Sequence, residues 1–154
     1  MKTADRMTDF SSFIVMDVME AAFELERKGI DVVHMEVGEP NFPLPPPVDD
    51  AIRKALTDGE THYTHSMGIR PLREAIAKRY HDKYGVDVSP ERVCVTTGTS
   101  AAFLMLFGAL VNPGDGVAMS DPGYACYPNF VRFVNGRPVF VPIREEDGFQ
   151  LTPQ

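Results

Sequence analysis

The first third of the chain shows two apolar patterns. Across residues 13–28, apolar side chains recur every three or four positions, which predicts an amphipathic helix. Ser11 or Ser12 can cap the start of this helix, and Gly29 stands where a helix end favours a left-handed residue. The β-rich residues 32–37 follow and predict a short strand.

Residues 38–47 contain the densest run of prolines, with four of them between positions 43 and 47. No helix or central strand tolerates prolines at this density, so the pattern predicts an extended, stiff linker. We therefore expect a domain boundary here, after residue 46.

Helical patterns follow the linker, and a strand–helix alternation follows them. Helices are predicted over residues 48–56 and 70–84, the second with Pro71 in its first turn and Gly85 at its end. The later pattern predicts a strand at 93–98, a helix at 99–111, a strand at 116–120, a helix at 124–134 and a strand at 138–143. This order is typical of an α/β fold, a parallel sheet with helices on both faces.

Two further expectations come from this second part of the chain. The helix at 99–111 is apolar nearly all round, which predicts burial on most sides. Three strands would leave two unpaired sheet edges, and the last residues provide no closing helix. The pattern therefore predicts a truncated domain.

Composition and charge narrow the function classes. The chain has 154 residues, 44% of them hydrophobic, and a net charge of −7. The acidic balance disfavours nucleic acid and polybasic membrane-surface binding as functions. The longest apolar stretch, residues 101–111, is shorter than the ~20 residues of a membrane span. With no signal-peptide pattern and two cysteines outside any CxxC motif, we expect a cytoplasmic location.

The strongest local pattern is Thr96-Thr97-Gly98-Thr99-Ser100, between a predicted strand and a predicted helix. Backbone N–H groups at a helix start carry partial positive charge and suit a phosphate. Gly98 permits close approach, and the hydroxyl groups add donors. A capped helix with a glycine turn would produce the same pattern. The stretch is neither a P-loop nor GxGxxG, so a nucleotide is not the first expectation.

Aromatic residues follow the next predicted strand. Tyr124 and Tyr127 are expected at the same end of the sheet as the Gly98 turn, because ligands of open α/β sheets lie outside the carboxyl ends of strands. An aromatic ring there can stack on a planar ligand, or it can simply pack against the next helix.

The histidines and one cysteine are expected to be structural. His62 and His65 form HxxH around Tyr63, but no third ligand stands nearby, so no metal site is predicted. His34 is interpreted as a core histidine with satisfied hydrogen bonds. Cys126 has no histidine nearby in sequence and is interpreted as a buried, inert thiol.

Four motifs in register resemble the N-terminal part of class I and II aminotransferases, the fold-type I enzymes that use pyridoxal 5′-phosphate. The motifs are Gly38-Glu39-Pro40-Asn41-Phe42, Tyr63 with Gly68 and Leu72-Arg73-Glu74-Ala75-Ile76, Thr97-Gly98-Thr99-Ser100, and Asp121-Pro122 with Tyr127-Pro128. The resemblance covers nearly the whole chain. It implies an N-terminal arm and small-domain segment in residues 1–46, and the first part of the large cofactor-binding domain in 47–154.

The resemblance also implies a strand order. The large sheet of the family is not laid in chain order, and its first strand pairs with one from much later. The three strands predicted here would therefore not form one contiguous sheet.

The resemblance assigns cofactor roles. Gly98, Thr99 and Ser100 would bind the phosphate of pyridoxal 5′-phosphate, which agrees with the helix-start argument. Tyr127 would stack on the pyridine ring. Tyr63 would reach the phosphate of a neighbouring subunit, which implies a homodimer. Gly38 would bring its backbone to the substrate carboxylate, the substrates being an amino acid and a 2-oxo acid.

None of the five lysines matches the family lysine that forms the Schiff base. They are Lys2, Lys28, Lys54, Lys78 and Lys83. We therefore assign no catalytic residue within this sequence and expect the chain by itself to lack transaminase activity. A carbon–sulfur or other lyase of the same fold would share every motif, and a non-catalytic phosphate-binding or interaction module is a further alternative. An effector-sensing domain of a transcription regulator is disfavoured by the acidic charge.

Overall fold

The computed structural model describes residues 2–152 and divides them into two compact units. The first unit comprises residues 2–38 and 98–152, and the second comprises Glu39–Thr97. In chain order the helices are α1 (Ile14–Arg27), α2 (Pro46–Thr57), α3 (Arg70–Tyr84), α4 (Gly98–Leu110) and α5 (Tyr127–Phe133). The strands are β1 (Gly116–Asp121) and β2 (Arg137–Pro142). Short 3₁₀ helices occupy Asp5–Asp9, Pro90–Arg92 and Glu145–Asp147. The domain boundary after residue 46 stays a prediction.

The sheet of the first unit is a parallel pair with α5 in the crossover. The register runs from Gly116 opposite Arg137 to Asp121 opposite Pro142. Beyond it, the Asp121 carbonyl accepts a hydrogen bond of 2.9 Å from the N–H of Ile143. The predicted α/β class with parallel pairing is confirmed. Because both strands run the same way, their carboxyl ends lie at one edge, where the 122–126 loop begins.

Two predicted strands do not form, so these two predictions are wrong. Residues 32–37 and 93–97 have no ladder partner within the part of the chain described. A strand is defined by backbone pairing, and apolar sequence alone cannot supply the partner. Val95 donates its N–H to the carbonyl of Met67 at 3.0 Å instead. The expectation that the three later strands would not form one contiguous sheet is met, since within residues 2–152 the sheet consists of β1 and β2.

Helix α4 exposes more of its surface than its sequence predicts. Leu104, Met105, Leu106 and Leu110 are each more than a third exposed, Met105 by 58%. The prediction of burial on most sides is therefore wrong for this chain. A helix buried all round needs neighbours all round, and in the described residues its packed neighbour is α5.

Prolines set where two helices begin. Pro46 and Pro47 lie in the first turn of α2, so this helix starts two residues before the predicted position 48. A first-turn N–H has no partner within the helix, so proline is tolerated there. Pro128 restricts α5 in the same way, and this helix begins at Tyr127 rather than at the predicted 124. Helix α3 has its predicted bounds, and Gly85 ends it in the left-handed conformation with φ 66°.

The second unit is organised around a buried guanidinium. Arg73 is 6% exposed, and its Nε donates to the carbonyl of Gly68 at 3.2 Å. Its Nη1 donates to the carbonyl of Pro90 at 3.2 Å and to Oε2 of Glu91 at 3.3 Å. Because a buried charge is costly unless it is paired, the guanidinium of Arg73 requires these partners. The contacts therefore hold α3 to the loops that contain Gly68 and Pro90. Gly68 has φ 96°, and a Cβ there would lie 2.7 Å from Cγ2 of Val95.

His34 lies at the surface, so the core interpretation of this residue is wrong. Its Nδ1 is 2.6 Å from Oε1 of Glu36, and its Nε2 is 3.1 Å from Oε1 of Glu26. These hydrogen bonds, first that with Glu36, raise the pKa of His34, and His34 in turn lowers the pKa of Glu36. The pairs hold the irregular 32–37 segment to α1.

No helix of residues 2–152 is both long enough and apolar enough to cross a membrane.

Replacing Gly136 by alanine is expected to destabilise the first unit. The added Cβ would lie 2.8 Å from Cγ1 of Val111 and 2.9 Å from Cγ1 of the fully buried Val131. Overpacking of this kind costs about 1–3 kcal/mol. Gly108→Ala is the control: nothing lies within 4 Å of its Cβ position inside α4, so stability should rise by about 0.5–1 kcal/mol. Urea unfolding followed by circular dichroism measures both; equal stability of the two variants would contradict the packing.

An NMR pH series is expected to give His34 a pKa above the ordinary histidine value. Because the pKa of His34 is raised in the folded chain, its ion pairs stabilise the fold fully at pH values below the ordinary histidine pKa, about 6.5. This stabilisation is lost as the pH rises through the raised pKa of the folded chain. Glu36→Gln removes the largest cause and should move the pKa of His34 downward. A pKa of His34 that does not respond to Glu36→Gln would contradict the contact.

Candidate functional site

The start of α4 has the geometry expected of an anion-binding turn. Gly98 adopts the left-handed conformation with φ 82°, and beyond its chain neighbours and the backbone of its own helix no heavy atom lies within 4 Å of where its Cβ would be. Thr99 and Ser100 follow in the first turn, and both are exposed. N–H groups of a first turn have no carbonyl four residues earlier in the helix, and the helix dipole adds positive potential. Two hydroxyl groups therefore stand at the positive end of a helix.

Tyr127 lies beside this helix at the first residue of α5. Its ring centroid is 4.9 Å from that of Phe103 in α4 and 5.1 Å from that of Tyr124. Phe103 is five residues after Gly98, about 7.5 Å along the helix axis. Tyr127 remains 36% exposed, so its ring is supported by neighbours and is still open to solvent. This packing is consistent with the expectation that Tyr127 lies near the start of α4.

A small cleft of about 100 Å³ lies between the end of β1 and α5. Ser120, Asp121, Tyr124, Tyr127 and Phe140 are among its lining residues. Gly123 also lines it, and a Cβ at that position would be 2.5 Å from the carbonyl oxygen of Ser120. Only glycine permits this close backbone approach. The Asp121–Pro122 peptide bond at this loop is cis.

Cys126 is half-buried, so the description of it as a buried thiol is wrong. It lies in the 122–126 loop, because the helix that was expected to contain it begins only at Tyr127. A hydrogen bond with Cys126 is the largest cause that raises the pKa of Tyr124.

The other two predicted site residues have simpler surroundings. Tyr63 belongs to the second unit, where its side chain is fully exposed and lines an open surface groove with Thr61 and His62. Gly38 is exposed, and apart from its two neighbours in the chain no heavy atom lies within 4 Å of its Cβ position. The roles expected for both residues stay predictions. In residues 2–152, no group of three or more His, Cys, Asp or Glu side chains is arranged to hold a metal ion.

Sequence reasoning missed the aromatic residues that support Tyr127. Phe103 and Phe130 stack with centroids 5.7 Å apart and an interplanar angle of 16°. The spacing of Tyr127 and Phe130 along one helix face could have indicated a shared cluster. The partner ring of Phe103 comes from another helix, and no local pattern could have identified it.

Comparison with known proteins gives a consistent family. The model of the family described as Aminotransferase class I and II matches residues 30–154. The chain is 43% identical over 135 residues to the (5-formylfuran-3-yl)methyl phosphate transaminase of Methanocaldococcus jannaschii, covering 88% of this chain and 36% of that protein. It is 40% identical over 151 residues to a probable aspartate/prephenate aminotransferase of Thermus aquaticus, covering 98% and 39%.

Solved structures agree with the sequence relatives. The aspartate aminotransferase from Thermus thermophilus with maleate superposes with a TM-score of 0.91 at 37% identity, covering 99% of this chain and 40% of that one. An aminotransferase from Mycobacterium tuberculosis superposes with a TM-score of 0.90 at 38% identity, covering 99% and 39%. The chain thus spans less than half the length of the relatives it matches.

Gly98→Ala is expected to destabilise the first unit, because alanine in a left-handed conformation costs about 1–2 kcal/mol. Gly98→Asn is the matched variant, since asparagine tolerates positive φ and should lose less. Urea unfolding of both variants gives the comparison. Equal losses for alanine and asparagine would contradict the left-handed turn.

Proposed function

Because the chain belongs to the class I and II aminotransferase family, we propose that the whole protein transfers an amino group between an amino acid and a 2-oxo acid. Members of this family use pyridoxal 5′-phosphate. The observation that carries the proposal is the exposed start of α4 at Thr99 and Ser100. The same helix contacts the partly exposed ring of Tyr127 through Phe103.

The donor set of the first unit fits this cofactor. Gly98 leaves open space where a side chain would stand, so a phosphate can approach the backbone. The hydroxyl groups of Thr99 and Ser100 would donate to phosphate oxygens, and the positive end of α4 stabilises their negative charge. Tyr127 would offer a planar face to the pyridine ring and exclude water from it. Bound pyridoxal 5′-phosphate acts as the electron sink for bond cleavage at the substrate's α-carbon.

The assembly and substrate contacts form part of the same proposal. We propose a homodimer in the cytoplasm, in which Tyr63 reaches the phosphate of the neighbouring subunit. The full exposure of its side chain supports this role. Gly38 would present its backbone to the substrate carboxylate, and its open surroundings support such an approach. Residues 1–46 would belong to the arm and small domain, and 47–154 to the large domain.

Amino transfer by the whole protein, measured with a panel of amino acids and 2-oxo acids, tests the proposal. Ser100→Ala should weaken cofactor affinity about fivefold, the factor that one lost hydrogen bond contributes. Ser89→Ala, an exposed serine in the second unit, is the matched control: it removes the hydrogen bond that Ser89 Oγ accepts from the N–H of Glu91 at 3.3 Å, and it should leave cofactor affinity unchanged. Elimination of the β-substituent of the amino acid, as a thiol for a carbon–sulfur lyase, with release of a 2-oxo acid and ammonia and without amino transfer, would indicate a lyase instead.

The same experiment separates the chain from the whole protein. The purified 154-residue chain should bind the cofactor without amino transfer, because none of its lysines matches the family lysine. Borohydride treatment followed by peptide mapping should find no stoichiometric pyridoxyl group on any of the five. Turnover by the pure chain, or a single specific modified lysine, would overturn this part.

A further inference from the structure

An N-terminal segment, residues 6–13, lies along the outer side of α5; we call it the N-terminal strap. Its first contacts are with Phe133 near the end of the helix. The guanidinium carbon of Arg6 is 5.7 Å from the centroid of the Phe133 ring. The Phe10 ring meets the same ring edge-on, with centroids 6.5 Å apart. The strap thus contacts the last turn of α5 through one cation–π contact and one aromatic contact.

The strap then reaches the first turn of α5. The side-chain Nδ2 of Asn129 donates a hydrogen bond of 2.9 Å to the backbone carbonyl of Ser11. Phe13 packs edge-on against Tyr124, with centroids 6.2 Å apart and an interplanar angle of 70°. Tyr124 in turn packs edge-on against Tyr127 at 5.1 Å. A continuous line of contacts therefore runs from the strap to the ring of Tyr127.

Helix α5 needs such support because of its length. It has seven residues, and isolated helices shorter than about 12–15 residues are marginal in water. Its inner side is held by the fully buried Val131 and by Phe130 stacked on Phe103. Its outer side is held by the strap, more than 100 residues earlier in the chain. Tyr127, the first residue of α5, thus belongs to a helix that is contacted on both sides.

We propose that Asn129 and Phe13 are positioning residues that orient Tyr127 toward its ligand ring. Asn129 anchors the strap to the first turn of α5, and Phe13 holds Tyr124 against Tyr127. The inference rests on the proposed function and deepens it, since it assigns part of ring binding to a segment outside the four motifs. The phosphate-binding start of α4 lies outside this line of contacts.

The test compares two probes on the 154-residue chain by equilibrium dialysis. 4′-Deoxypyridoxine phosphate has the cofactor's ring and phosphate but no aldehyde, so lysines cannot capture it. Inorganic phosphate reports on the α4 start alone. In the wild-type chain, Asn129 Oδ1 accepts a hydrogen bond of 3.3 Å from Arg132 Nη1. Asn129→Asp keeps the size of the side chain and this acceptor but loses the donor to Ser11. It should lower the affinity for the ring probe about fivefold, the factor that one hydrogen bond contributes, and leave the affinity for inorganic phosphate unchanged.

Phe13→Leu should act in the same direction, because it removes the edge-on contact with Tyr124. The matched controls are Arg132→Gln, which removes the other partner of Asn129, and Phe149→Leu, a phenylalanine that is 53% exposed. Both should leave the affinity ratio of the two probes unchanged. In a Tyr127→Leu background, Asn129→Asp should have no further effect on the ring probe, because coupled residues are not additive.

The outcomes separate this inference from the proposed function. An unchanged ring-probe affinity in Asn129→Asp and Phe13→Leu, or an equal loss for both probes, would overturn the positioning role. A wild-type chain that binds neither probe would count against the cofactor site itself. Fluorine NMR of the 3-fluorotyrosine-labelled chain, with Tyr127 assigned by Tyr127→Phe, then decides the positioning role without ligand. The Tyr127 resonance should shift in Asn129→Asp and stay in Arg132→Gln; an unmoved resonance in Asn129→Asp would overturn the inference.

Discussion

The parallel pairing of β1 with β2 is the constraint on which the candidate site depends. Parallel strands need a crossover, and here the crossover contains α5. The pairing therefore decides where Tyr127 can be, at the carboxyl edge of both strands. Val131 is fully buried on this helix, and Gly136 removes the side chain that would otherwise separate α5 from β2. Tyr127 is thus placed by backbone pairing and close packing that lie several residues away from it.

The candidate site combines two kinds of support with different physical origins. The anion-binding potential of the Gly98–Ser100 turn comes from backbone geometry and the helix dipole, so it is local to α4. The position of the Tyr127 ring comes from aromatic contacts with Phe103 and Tyr124, supplied by separate segments. A ligand with an anionic group and a flat ring matches both, and the family to which the chain belongs uses a cofactor of that kind.

The second unit shows how a polar group can organise a small packing region. Arg73 is buried but satisfied by two carbonyl groups and the Glu91 carboxylate. Its contacts hold the Gly68 turn and the Pro90 turn to α3. Because Gly68 has positive φ and lies against Val95, this turn depends on the absence of a side chain as well. The resemblance motif that contains Gly68 and Arg73 is therefore partly a structural requirement of this unit.

The sequence by itself determined the features whose causes are local. The bounds of α3 follow from its periodicity, Pro71 and Gly85, and the turn at Gly98 follows from a glycine between a β-rich run and a helical one. The motif order also indicated the family, whereas the roles of the candidate cofactor residues stay predictions. The predictions for α3 and the Gly98 turn succeeded because hydrogen bonds within a helix and backbone conformation depend on near neighbours in the chain.

Only the tertiary structure decided the features that need a distant partner. Residues 32–37 and 93–97 are β-rich yet form no strand within residues 2–152, and α4 is apolar yet largely exposed, because strand pairing and burial depend on what lies opposite. His34 lies in a β-rich run that is typical of a core strand, yet it pairs with Glu26 and Glu36 at the surface. The strap reaches Asn129 across 118 positions, a separation at which no local pattern indicates the contact. Such contacts are specified by the packing of the whole unit, and packing is not encoded in any single segment.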